Sequence, residues 1–76
     1  KEGSYTNVLL ADPVRAAQKV GEEAVEVVVA ALAQSDERLV AEMADLVYHG
    51  LVLLAAHNLS WQDVMAELQR RHQPEE

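Results

Sequence analysis

Between Pro13 and Ala33 the apolar residues recur at helical spacing. Val20, Ala24, Val27, Val28 and Ala31 form one stripe at about 100° per residue, while Val25, Val29 and Leu32 fall on other sides. The pattern returns more densely further on, where Leu39, Val40, Met43, Leu46, Val47, Leu51, Val52, Leu53 and Leu54 cover most of a second helix. The punctuation agrees with two long helices. Asp12-Pro13 is a helix start, because the Asp carboxylate can cap free N–H groups and Pro at the first helical position has none to satisfy. Ser35 reads as the next N-cap, with Asp36 and Glu37 complementing the helix dipole. These signals predict helices over 13–33 and 36–57, the second ending at Asn58, which tolerates a left-handed backbone. Ser60-Trp61-Gln62-Asp63 resembles a capping box opening a last helix that fades before Pro74, whereas Lys1 to Asn7 reads as a loop leading into a short turn over Val8 to Ala11.

A helix apolar nearly all round must be buried nearly all round, and two such helices cannot do that for each other. The expected fold is therefore all-α: an antiparallel helical hairpin with short flanking helices, pairing in a homodimer to form a four-helix-bundle core. With 76 residues the chain forms one domain, residues 1–76, too small to bury a comfortable core alone.

Charge narrows the function. Thirteen acidic residues against 6 basic give a net charge of −7, the wrong sign for neutralising a nucleic-acid backbone. A polyanionic small substrate would be repelled too, unless bound cations reverse the local field. The chain has no cysteine, which excludes disulfides and thiolate metal sites. Nothing resembles a signal peptide, and charge interrupts each apolar run before a membrane span's length, so the expectation is a cytoplasmic protein with no membrane partner.

On this apolar background Glu22, Glu23 and Glu26 lie within about a third of a turn of one another. Glu42 and Asp45, three apart, share a face of the second helix, and antiparallel pairing through the Gln34–Asp36 loop would set the two groups opposite each other. Five carboxylates in one place repel unless a cation joins them. All-oxygen donors suit a hard ion, magnesium with manganese as the alternative, rather than zinc or copper. A lone Glu-Glu-x-x-Glu is ordinarily a solvated face; the second acidic pair at matching separation is what argues for a site. A di-iron bundle would want Glu-x-x-His motifs, and the chain has none.

The pair of motifs, Lys19-x-Gly21-Glu22-Glu23-x-x-Glu26 and Glu42-x-x-Asp45-Leu46-x-Tyr48-His49, resembles that of the phosphoribosyl-ATP pyrophosphohydrolases of histidine biosynthesis, within the MazG-like all-α nucleotide pyrophosphohydrolases. Gly3-Ser4-Tyr5-Thr6, Asp63-Val64 and Glu67-Leu68 with Arg70 or Arg71 extend the likeness over nearly the whole chain. The resemblance implies hydrolysis of phosphoribosyl-ATP to phosphoribosyl-AMP and pyrophosphate, magnesium drawn to Glu22, Glu23, Glu26, Glu42 and Asp45, and a dimer. It also implies a further N-terminal helix ahead of Gly3, so that 1–76 is expected to be a MazG-like domain lacking that helix.

Chemistry suggests roles within the set. A carboxylate not committed to metal can orient or deprotonate water, for which Glu23 and Glu26 are the candidates. Lys19, one turn before Glu23, can meet a phosphate or merely pair with its acidic neighbours. His49, one turn after Asp45, is either a substrate contact or supporting partner, or an ordinary interfacial histidine. Tyr5 is a candidate to stack on adenine. Arg71 is a candidate for the phosphoribosyl group across a dimer, against the plainer reading of a solvated helix end. Gly21 inside a helix costs about 1 kcal/mol relative to Ala, which predicts close approach of a helix or substrate there. Two rivals remain: a related pyrophosphohydrolase acting on dUTP, dCTP or damaged deoxynucleotides, and a non-catalytic helical dimerisation module.

Overall fold

The computed structural model of the chain describes residues 2–72, with side chains from Tyr5 to His72. Four helices follow one another: α1 (Glu2–Leu10), α2 (Pro13–Ala33), α3 (Asp36–Ala56) and α4 (Trp61–Arg71). The expected caps form. The Asp12 carboxylate accepts from the Arg15 N–H at 3.1 Å, Ser35 Oγ from the Arg38 N–H at 3.2 Å, and the Asp63 carboxylate from the Ser60 N–H at 2.9 Å. Helix α3 ends in a left-handed turn at Asn58 (φ 61°), with Asn58 N–H bonded to Ala55 C=O at 3.0 Å and Leu59 N–H to Leu54 C=O at 2.8 Å. That paired closure satisfies the last carbonyls of the helix. Pro74, expected beyond α4, lies outside the described residues.

One expectation is overturned. Residues 2–7 are not a loop; they belong to α1. Gly3 and Ser4 weigh against a helix locally, but Leu9 is fully buried with Ala16 and Val52 at the junction of α1, α2 and α3. Tertiary burial outweighs local propensity there.

Helices α2 and α3 form an antiparallel hairpin with extensive mutual packing, α1 lies across both, and α4 stands largely clear of the others. Along α2 the inner edge runs Ala16, Val20, Glu23, Val27, Ala30; along α3 it runs Leu39, Glu42, Leu46, His49, Leu53, Ala56. Both sets alternate in steps of three and four, the spacing of a helix–helix seam. Val25, Leu32, Val40, Met43, Val47 and Leu51 point outward instead. An open apolar groove on α3 is lined by Val40, Met43, Ala44, Val47, Tyr48 and Leu51.

Among the described residues α3 is long and apolar enough, by length and composition, to cross a membrane. The sequence expectation rested on the uninterrupted apolar run, and a 21-residue helix can pass such a test while carrying Glu42 and Asp45. Each carboxylate would cost about 2.5–3.5 kcal/mol at a bilayer centre. Here Glu42 is instead turned into the protein, with only 7% of its surface exposed, and α3 serves as one arm of the hairpin.

Candidate metal centre

Two seam positions that periodicity would fill with Leu or Val are glutamates. The side chain of Glu42 is 9% exposed and that of Glu23 14%. Asp45, three residues after Glu42 and therefore about 60° round the helix, reaches the same place from the exposed rim. Oxygens of Glu23, Glu42 and Asp45 all lie within 4.8 Å of one another. Three oxygens gathered this closely could together hold one hard cation, which typically keeps water on its remaining positions. Three hard oxygen donors with no sulfur or imidazole nitrogen among them fit such an ion.

Of the five carboxylates expected together, the structure gathers these three. Glu22 is one residue, about 100°, further round α2 than Glu23; its side chain is 65% exposed and it bonds to Lys19 Nζ at 3.3 Å. Glu26 is exposed on the flank one turn along from Glu23, outside the group of three. Lys19 also stands 3.9 Å from Glu23. The hydrogen bond that Lys19 donates to Glu22 is the main reason its ammonium is held above the ordinary pKa of 10.5, partly opposed by desolvation. Lys19 therefore sits at the edge of the cluster, pairing as the surface reading expected while close enough to serve the site.

Behind the carboxylates α1 is fastened to α3. His49, 6% exposed, places Nδ1 2.7 Å from the Asp45 backbone carbonyl and Nε2 2.8 Å from the Tyr5 hydroxyl. A carbonyl can only accept, so Nδ1 carries the proton, and in the neutral ring Nε2 accepts from the phenol. The Tyr5 and Tyr48 rings lie 6.3 Å apart at 18°, each edge-on to His49, and the Tyr48 hydroxyl meets Thr6 Oγ1 at 2.6 Å. Tyr5 and His49 thus bond to each other, one helical turn from Asp45. His49 is thereby buried between α1 and α3 within a single chain.

Two other expectations fare differently. Arg71 bonds to Glu67 at 2.9 Å on α4 and is not brought to the cluster within the chain; Arg70 joins it on the same carboxylate, and these bonds, Arg70's first, hold Glu67 below its ordinary pKa of 4.5. Gly21 has nothing within 4 Å of the position a Cβ would take, so among the described residues no close approach explains it. Sequence reasoning passed over Arg38, whose guanidinium binds the Glu42 carboxylate. Its position four residues before Glu42 was the available signal.

An all-helical hairpin with an oxygen-donor cluster built into its seam defines a class of protein able to hold a hard cation between two helices. The chain belongs to the phosphoribosyl-ATP pyrophosphohydrolase family, whose profile matches residues 1–72. It is 51% identical over 72 residues to a phosphoribosyl-ATP pyrophosphatase of Sulfolobus acidocaldarius, covering 93% of this chain and 76% of that protein. A phosphoribosyl-ATP pyrophosphatase of Pyrobaculum calidifontis is 59% identical over 69 residues (90% and 73%), and one of Caulobacter vibrioides 54% over 68 (90% and 64%). No solved structure matches.

Proposed function

We propose that this chain hydrolyses phosphoribosyl-ATP to phosphoribosyl-AMP and pyrophosphate, the second step of histidine biosynthesis, with magnesium held by Glu23, Glu42 and Asp45. The observation that carries the reading is the convergence of three carboxylates within 4.8 Å in a partly buried helical seam, in a chain of this family. Such a cluster is unfavourable unless neutralised, and the substrate's polyphosphate is repelled by a protein of charge −7 unless the same ion screens it. When bound, a divalent cation supplies charge neutralisation of the departing pyrophosphate and lowers the pKa of water beside it.

The chain's own groups do the rest. Water adds to phosphorus, the bond between the α- and β-phosphates breaks, and a carboxylate takes the proton. Glu23 is committed to the cluster, which leaves Glu26, on the same helix and exposed, as the base. Glu22 keeps Lys19 at the rim, where its ammonium can meet a phosphate. Tyr5 and His49 fasten α1 beside the site, and Arg71 serves the substrate only from a second chain. That second chain is part of the proposal. Among the described residues the buried hydrophobics are Leu9, Ala16, Ala30 and Val52, while Leu32 is 82% and Val40 69% exposed, so a homodimer covering the outer faces completes the core. The described residues work as one domain, in the cytoplasm.

The test is magnesium-dependent pyrophosphate release from phosphoribosyl-ATP beside ATP and dUTP. Selective release from the first is expected; release from a deoxynucleotide alone would move the chain's activity to the sister enzymes, and no release with no thermal stabilisation by Mg²⁺ would favour a dimerisation module.

A further inference from the structure

We infer that Arg38 is a built-in counter-ion that competes with the divalent cation for Glu42. The inference rests on the reading of Glu23, Glu42 and Asp45 as a metal site, and adds to it a residue outside that set.

Arg38 is the third residue of α3, and its own N–H is bonded to the Ser35 cap at 3.2 Å. The first turn of a helix is the least favourable place for a cation, because the dipole presents its positive end there. Asp36 and Glu37, beside it, are the residues that position favours. Yet the Arg38 guanidinium is turned along the helix onto Glu42, four residues on. Two cations border the group of three carboxylates: Lys19 on Glu23 and Arg38 on Glu42.

The two partners of the Arg38–Glu42 pair are unequal. The Arg38 side chain is 56% exposed and can swing into water, whereas that of Glu42 is 9% exposed and fixed in the seam. Arginine cannot relieve the contact by losing a proton. A divalent ion reaching Glu42 therefore meets a carboxylate whose charge is already engaged by a guanidinium, and binding sets one cation against another. Arg38 lowers the cost of the metal-free cluster and, in the same measure, weakens the ion's hold.

The experiment is isothermal titration of the substrate-free protein with MgCl2, comparing wild type, Arg38→Gln and Arg38→Lys. Arg70→Gln is the control, since it removes the same charge from the exposed Glu67 pair on α4. Arg38→Gln should bind Mg²⁺ about two- to fivefold more tightly than Arg70→Gln, the size of a half-exposed ion pair read as a binding ratio, with Arg38→Lys between it and wild type. Equal affinities for the two Gln variants would overturn the inference. Weaker binding by Arg38→Gln would overturn it as well, and would make Arg38 a residue that orients Glu42 for the ion. Failure of the underlying metal-site reading looks different: wild type itself would show no Mg²⁺ binding, or Glu42→Gln would bind unchanged.

Discussion

On the inner seam of the α2–α3 hairpin stand Glu23, Glu42 and His49; on its outer faces stand Val25, Leu32, Val40, Met43 and Leu51. Within one chain the usual distribution is reversed at these places. The reversal has two causes. A seam accepts carboxylates when a cation neutralises them, and an outer surface accepts valine and leucine when another protein surface covers it. Local violations of the apolar pattern tend to mark function, and here the inner violation marks the proposed chemistry while the outer one marks the proposed assembly.

The largest effect should come from the inner seam. Glu42→Gln keeps the shape of the most buried ligand and removes its charge; magnesium-dependent pyrophosphate release should fall at least about 100-fold, and Mg²⁺ should no longer raise the melting temperature. Unchanged release would break the link between seam and chemistry. On the outer face, Met43→Glu places a charge in the apolar groove of α3. In a symmetric dimer two such charges are buried together, at a cost of about 3–5 kcal/mol, and sedimentation should show dissociation at concentrations where wild type is dimeric. A variant as dimeric as wild type would leave the outer face without a partner.

Tyr5→Phe probes the polar part of the seam behind the carboxylates. Removing the hydroxyl leaves His49 Nε2 buried without its partner, which should cost about 1–3 kcal/mol and lower the melting temperature by roughly 4–8 °C for each of these. Gly21→Ala is the smallest change and the only stabilising one. With nothing within 4 Å of the new Cβ, it should add about 1 kcal/mol of stability. Higher stability with lost activity would show that substrate or a second chain approaches Gly21, sharpening the outer boundary of the site.

How much of this could be read beforehand depends on whether local or tertiary forces decide. The starts of α2, α3 and α4 were legible because Asp12-Pro13, Ser35 and the Ser60–Asp63 pair act within one helical turn, and Asn58 ended α3 for the same local reason. Helix α1 was not legible, because Gly3 and Ser4 argue against a helix that Leu9 and the Tyr5–His49 bond secure through contacts more than 40 residues away. The helical wheel places Glu22, Glu23 and Glu26 within about a third of a turn of one another on α2, but only the roll of α2 against α3 selects Glu23 to face Glu42 and Asp45. Arg38 was overlooked because a basic residue near a helix start looks like ordinary surface until its partner proves to be buried.

The central claim, that the inward carboxylates hold a divalent ion, is tested most directly by crystals of the protein grown with Mn²⁺, with diffraction collected for the anomalous signal of manganese. The account predicts a single strong peak per chain within coordination distance of oxygens from Glu23, Glu42 and Asp45. A difference map with no peak in the seam, or with manganese only at exposed carboxylates such as Glu67, would contradict it.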